Sequence, residues 1–573
     1  MRSRFTPVAA ASLALLAGAA TQSAAQLGVS NRAVPGTYAI TNARIVPVSG
    51  PAIEKGTIVI RDGLITAVGP AAATPADARV IDGSGLTVYP GFIDALSNVG
   101  VPGNREGGGG GGRGGGGAAF GQQASSNPAS APNSEHPQGL QPELRVIDIL
   151  KVEGDALDAP HSAGITATLS APREGIFMGQ SAIINLSNGS AQEMLVRSPA
   201  ALHVGFTPLR GQGYPNSLMG VFASLRQMLL DAQRYRDIQA AYARNPRGMK
   251  RPDNDASLAA LLPALSKEVP VVMLANSERE IERALDLANE FGLRAYIAGG
   301  EEAWKVADRL KKENVPVIAT LNFPRRTANA TDDADPEPLR VLQSRVDIPK
   351  NAGKLAAAGV RLAFTSGGLS NMSDFVANLR KATDEGLNKD QALRALTLTP
   401  AELFGVGDRM GSIEVGKIAN LTLTRGDVFD RAARITQLFV DGRPITVRAA
   451  AGDAANASPA AGTWTVTATF AEGERTATFT LQQDGDRLRG TMQGALGSAD
   501  INNGSIGANG DLRFTVSVTL GGTSEEATFT GTMTGNVIRG TVQIVGHPNG
   551  TFIGTRPDAG TRPGRPGQRP PAE

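Results

Sequence analysis

The chain holds four histidines, His136, His161, His203 and His547, and no cysteine. A catalytic zinc site takes three protein ligands and a water, and histidines scattered in this way do not supply that set. His136 falls in a low-complexity stretch and His547 near the end of the chain, which leaves His161 and His203. Their plain readings are a helix-end residue ahead of Gly164 and a hydrogen-bonded strand residue, respectively. Asp94, Glu174 and Glu193 are the carboxylates for an oxygen-only, hard-metal site, but nothing in their spacing favours one. Ser181, in the run Gly179-Gln-Ser-Ala-Ile-Ile-Asn185, has the hydroxyl of a nucleophile but no identifiable His or Lys base to activate it. Gln180, Ser181 and Asn185 have two readings: they bind a ligand's amide or carboxylate, or they cap backbone groups of a tight glycine loop over a barrel mouth. The glycine run from Gly107 to Gly117, broken by Arg113, has neither a strand before it nor a helix after it. A phosphate cradle needs both, so the run reads as a linker.

The elements that must position these residues follow from length and pattern. A chain of 573 residues exceeds one compact core and predicts about three folded units. Lys and Arg total 56 against 54 Asp and Glu, a net charge of +2, so no overall field draws in nucleic acid or an anionic membrane. Arg2 and Arg4 precede an apolar run from Val8 to Ala20 and the small residues Ser23-Ala24-Ala25. This pattern predicts a signal peptide, residues 1–25, cleaved after Ala25, with delivery to a Gram-negative periplasm or secretion. The run is too short to span a bilayer, which takes roughly 20 residues, so no membrane span is expected in the mature chain.

Short alternating runs between Thr37 and Val88, such as Gly56-Thr-Ile-Val-Ile60, read as strands separated by the turns Arg61-Asp-Gly63 and Asp82-Gly83. From Pro90 to about Leu398, β-rich runs alternate with helical stretches: Gly164–Leu169, Val269–Leu274, Leu293–Ile297, Val315–Ala319 and Val360–Phe364. Between the second and third, Glu278–Phe291 carries Ile281, Ala284, Leu285, Leu287 and Ala288 on one helical face. Alternation of this kind predicts a parallel α/β sheet. After Gly462, two-residue periodicity and turns such as Asp484-Gly485 predict an antiparallel β-sandwich or barrel over 460–556, in which Asp486–Met492 and Asn536–Val542 look like two copies of one hairpin half. Residues 557–573, rich in Pro, Gly and Arg, read as a disordered tail.

Asp82-Gly-Ser-Gly-Leu-Thr-Val-Tyr-Pro-Gly-Phe-Ile-Asp94, Thr397–Val406, Gly411–Leu421 and Val440-Asp441-Gly442 come in an order that resembles amidohydrolases of the imidazolonepropionase-like group. The resemblance runs from Thr37 to Thr446. It implies a (β/α)8 TIM-like barrel over 90–399, interrupted by a glycine-rich insertion at 104–138, and a composite small β-sandwich domain from 35–89 and 400–447. It also implies zinc or another divalent metal, held by a His-x-His pair after the first strand, by histidines ending the fifth and sixth, and by an aspartate ending the eighth. Such a metal activates a bound water for attack on a carbonyl.

In this chain those positions read Leu96 and Asn98 after the first strand, Leu274 and Asn276 at the fifth and Gly299 at the sixth. At the eighth the residue is Gly367 or, one position earlier, Ser366. Leucine and glycine side chains offer no donor atom, so no bound cofactor is expected. The residues favour a metal-free pseudoenzyme that binds a small ligand or a protein partner, with Asp94, Gln180, Ser181, Asn185 and Ser366 as ligand-binding candidates. The resemblance favours an active hydrolase of C–N bonds other than peptide bonds, acting on an amide or N-acyl amino acid. The Thr-rich end of the chain motivates a third reading, an extracytoplasmic scaffold or adhesion component.

Overall fold

The computed structural model describes residues 36–102, 134, 136–152, 154–209, 214–324, 337–369 and 371–447, and then 460–470, 473–484, 487–494, 497–506, 510–520, 523–544 and 550–556. Residues 1–25, expected to be a signal peptide, nearly all of the glycine-rich insertion, His547 and the Pro/Gly/Arg tail lie outside these residues. Among the described residues no helix is long and apolar enough to cross a membrane.

Five strands lead in: β1 (Tyr38–Ile45), β2 (Ile53–Arg61), β3 (Leu64–Gly69), β4 (Arg79–Asp82) and β5 (Leu86–Pro90). The barrel region holds β6 (Phe92–Ser97), β7 (Ile165–Ser170), β8 (Phe177–Gln180), β9 (Ala182–Asn185), β10 (Leu195–Arg197), β11 (Leu202–Gly205), β12 (Val271–Ala275), β13 (Ala295–Gly299), β14 (Val317–Thr320) and β15 (Leu362–Thr365). Three more, β16 (Leu421–Arg425), β17 (Arg434–Val440) and β18 (Arg443–Thr446), return to the first group. There β16 lies antiparallel on β5, pairing Leu421 with Pro90 and Leu423 with Val88. The lead-in and return strands share one buried core of Ile40, Ile45, Ile58, Ile60, Val88, Leu423 and Phe439. A composite sandwich was expected, but hydrogen bonds join all eight strands into one sheet, because β1 takes β2 on one edge and both β4 and β5 on the other.

The barrel strands fall into two hydrogen-bonded sheets, β10-β9-β7-β6 and β15-β14-β13-β12-β11-β8. Only Ser181 separates β8 from β9, so the two act as one stave linking the sheets. That stave is antiparallel to β7 and β11, and to the short β10, while β6 and β7 pair parallel, as do β11 through β15. The expected (β/α)8 plan therefore has one departure: its third stave runs backwards, since Phe177–Asn185 returns from the loop after β7 without an intervening helix. A residue at the end of β9 thus falls at the opposite rim from the ends of the parallel strands.

Local sequence explains the regular part. The helix Glu278–Phe291 starts at Ser277 and Glu280 in a reciprocal capping box and ends at Gly292 in the left-handed region, φ 64°. Its buried face holds Ile281, Ala284, Leu285, Leu287 and Ala288, as the periodicity predicts, with Phe291 added.

The end of the chain forms a closed barrel of eight strands, each antiparallel to its neighbours. These are β19 (Gly462–Phe470), β20 (Gly473–Asp484), β21 (Arg487–Gly494), β22 (Gly497–Ile506), β23 (Asp511–Leu520), β24 (Thr523–Thr534), β25 (Val537–Ile544) and β26 (Gly550–Thr555). Side chains fill its interior, including Trp464, Phe479, Phe514, Phe529 and Phe552, as an eight-stranded barrel permits. The two suspected copies are real in register. Gly490 on β21 presses against Thr480 on β20, and Gly540 on β25 against Thr530 on β24, so that a Cβ on either glycine would meet a threonine carbonyl oxygen at 1.9 and 2.1 Å.

Candidate functional site at the barrel rim

The parallel strands bring their C-terminal ends to one rim, where barrel proteins place their chemistry. Asp94, on β6, is 1% exposed. Its Oδ1 accepts hydrogen bonds from Ser366 N at 3.0 Å and Leu96 N at 3.2 Å, and its Oδ2 accepts one from Ser366 Oγ. Burial pushes the carboxyl up to about 6, and the bonds from Ser366 and Leu96 oppose that rise. Thr365 Oγ1 donates to Leu96 O, and Thr320 Oγ1 donates to Gly367 O at 3.3 Å. The first contact fastens β15 to β6 and so closes the ring of staves, and the second ties the end of β14 to the turn after β15. Ser366, rather than Gly367, is the residue of the last strand that meets Asp94.

Asn98, just past β6, donates through Nδ2 to Ala171 O at 2.9 Å, tying the ends of β6 and β7 together. Leu96 is buried and Leu274 half-buried, both in the apolar cluster that fills the barrel. Asn276 follows β12, and its backbone N and that of Ser277 donate to Glu280 Oε2 at 2.9 and 3.1 Å. Next to it, Gly299 ends β13 at φ +92°, and a Cβ there would lie 2.0 Å from Asn276 Oδ1. Glu301, two residues on, is largely buried, and burial, followed by Glu280 and Glu302, raises its pKa.

Gln180, Ser181 and Asn185 are in the reversed stave, not in a loop over the mouth. Gln180 Nε2 donates to Pro142 O at 3.2 Å and Ser181 Oγ to Ala201 O at 3.2 Å. Asn185 Nδ2 donates to Asp441 Oδ1 at 2.6 Å, while its Oδ1 accepts from Asn420 Nδ2 at 2.8 Å. This network sits at the far rim, because β9 runs against its neighbours, and it joins the barrel to the composite sheet. Gly179 is required there by close approach: a Cβ would meet Leu144 O at 2.4 Å.

His136 Nε2 lies 3.2 Å from Asp255 Oδ2, and His161, in the last turn of its helix, has Nε2 2.8 Å from Leu186 O. His203 is on a strand, as expected, but it is not hydrogen bonded: neither ring nitrogen has a partner among the described residues. Burial pushes it down to about 3. Glu193 caps a short helix, accepting from Ser190 N at 3.1 Å, and Glu174 lies beside Arg173. Among the described residues no three His, Cys, Asp or Glu side chains are grouped to hold a metal ion.

Glu301 and the Asp94–Ser366 bond were not evident from sequence. Glu301 directly follows Gly299-Gly300, a legible signal, whereas Asp94 and Ser366 are 272 positions apart and only ring closure joins them.

Residues 306–448 match the sequence model of the amidohydrolase family. Over 158 residues the chain is 27% identical to an adenine deaminase of Moorella thermoacetica (strain ATCC 39073 / JCM 9320), a match covering 27% of this chain and 24% of that protein. The chain thus spans about a quarter of the curated relative's length. Among solved structures, an amidohydrolase from Thermotoga maritima MSB8 shares the fold with a TM-score of 0.59 at 22% identity, over 72% of this chain and 100% of that one.

Proposed function

We propose that this chain is a member of the amidohydrolase superfamily and that its barrel binds a small ligand without a metal and without hydrolysing it. One contact carries the reading: the carboxamide oxygen of Asn276 stands 2.0 Å from the place a Cβ on Gly299 would take. The family would have histidines at both strand ends. Here Asn276 fills room that an imidazole at 299 would need, and the backbone at 299 lies in the left-handed region that favours glycine.

The remaining donors support the same reading. Both carboxylate oxygens of Asp94 already accept hydrogen bonds, Asn98 is turned onto Ala171 O, and Leu96 and Leu274 have nothing to donate. A divalent ion does not fit this set, since catalytic zinc takes imidazole, thiolate or carboxylate. Elemental analysis of the dialysed protein, paired with an amide and N-acyl amino acid hydrolysis screen with and without added zinc, tests it. We expect neither stoichiometric metal nor turnover; metal-dependent turnover abolished by a rim substitution would overturn the proposal.

A second reading, hydrolysis of non-peptide C–N bonds, draws on Ser366 Oγ donating to Asp94, whose carboxyl is held at about 6. A hydroxyl bonded to a carboxylate that ionises near neutrality is a nucleophile-and-base contact. Metal-independent turnover lost in Ser366→Ala would favour it.

A further inference from the structure

His203 pairs in register with Val272 of β12. Val272 belongs to the cluster that fills the barrel, together with Ile93, Leu169 and Ala298. The flanking Leu202 and Val204 join Leu225 and Ile281 in the helix-facing core instead. Alternation therefore turns the His203 ring inward. It is 1% exposed, and neither nitrogen meets a donor or acceptor among the described residues. An unmade hydrogen bond on a buried group is a standing cost to the fold.

The same face of β11 leads from His203 to Gly205, at the rim end. Where a Cβ on Gly205 would be, Met178 Cε lies 2.7 Å away and Gly175 O 2.8 Å away. The pairs His203 with Gly179 and Val204 with Phe177 skip Met178, which makes it the bulged residue of β8. A bulge re-aims a side chain, and here it lays a flexible thioether over the glycine that separates the imidazole from the rim.

We propose that His203 is the polar anchor of the barrel's ligand, a neutral molecule with a hydrogen-bonding head, such as a carboxamide or phenol, on a compact apolar body, admitted past Gly205 when Met178 swings aside. This rests on the ligand-binding reading above and names the ligand class for that barrel. A neutral imidazole offers one N–H donor and one nitrogen acceptor, so an amide or hydroxyl answers it without burying a charge. The apolar cluster that includes Val272 suits the body, and an anion would leave its charge buried among those side chains.

The test uses the full chain labelled with 15N-histidine, in which only four imidazoles report, titrated with benzamide, 4-methylphenol, toluene and benzoate. Benzamide or 4-methylphenol should saturate the protein and shift the His203 ring resonances. Toluene and benzoate should bind at least about tenfold more weakly, the equivalent of one buried hydrogen bond. His203→Leu should lose that tenfold, while His203→Gln, which keeps a donor and an acceptor, should retain part of it. If the neutral probes bind but leave the His203 resonances unmoved, or benzoate binds as well as benzamide, this inference falls and the ligand-binding barrel stands. If no probe binds at all, both fall. The wild-type titration decides the matter even where a variant does not fold.

Discussion

Replacing Gly299 by alanine isolates the contact on which the functional reading turns. At φ +92° the new residue sits in left-handed backbone, which costs a non-glycine residue about 1–2 kcal/mol. Its Cβ also arrives 2.0 Å from Asn276 Oδ1, and displacing a packed side chain costs about 1–3 kcal/mol more. The barrel should therefore lose about 2–5 kcal/mol in all. Asn276→Ala in the Gly299→Ala background should restore the second part and leave the first, a coupling of about 1–3 kcal/mol between the two sites. Trp304, in the turn after β13, reports locally, with its N bonded to Asn351 Oδ1 at 3.0 Å. Since the chain has two tryptophans, urea unfolding followed by fluorescence in a Trp464→Phe background reads the barrel of β6 to β15. A cost below about 0.5 kcal/mol, or additive effects of the two substitutions, would refute the packing on which the loss of the strand-six ligand is argued.

Other outcomes follow from the same geometry. Because the Asp94 carboxyl is raised from 3.8 to about 6 in the folded protein, its contribution to stability is fully present below about 4 and is lost as pH rises through about 6. His203, pushed down to about 3, acts with the opposite sign, so the measurement is the difference between wild type and Asp94→Asn, which share it. That difference should move against the wild type between pH 4 and 6 and then level off; a flat difference would contradict the burial of Asp94. Asn185→Ala should cost about 1–3 kcal/mol by removing the hydrogen bonds to Asp441 and Asn420, and should leave benzamide binding at His203 unchanged by NMR titration. N-terminal sequencing of exported protein should begin at Gln26.

Where local chemistry sets the outcome, the sequence was legible. Glu278–Phe291 was readable because its cap, its 3.6-residue apolar spacing and its terminal glycine agree. Val360–Phe364 and Val315–Ala319 were found as strands, the structure placing them at Leu362–Thr365 and Val317–Thr320. Direction was not legible: Phe177–Gln180 and Ala182–Asn185 are short apolar runs, and nothing in such a run says which way it travels through a sheet. For that reason Asn185 was expected among rim candidates and lies at the other end. Nor could the sequence show that His203 lacks a partner, since satisfaction of a buried group depends on everything packed around it.

The register match between the two halves of the C-terminal barrel has a consequence of its own. Gly490 and Gly540 are 50 positions apart (540 − 490), as are their threonine partners Thr480 and Thr530 (530 − 480). The β20–β21 and β24–β25 pairs are therefore related by a two-fold repeat, but the seams between the halves differ: across β19 and β26 Thr465 pairs with Thr555, while across β22 and β23 its counterpart Thr515 pairs with Asn502 and not with Ser505. Each half thus presents a different pairing register at each of its two edges. Exchange of halves between chains, a route to intertwined dimers, therefore has one matched arrangement, the first half of one chain with the second half of another, while two like halves would meet out of register.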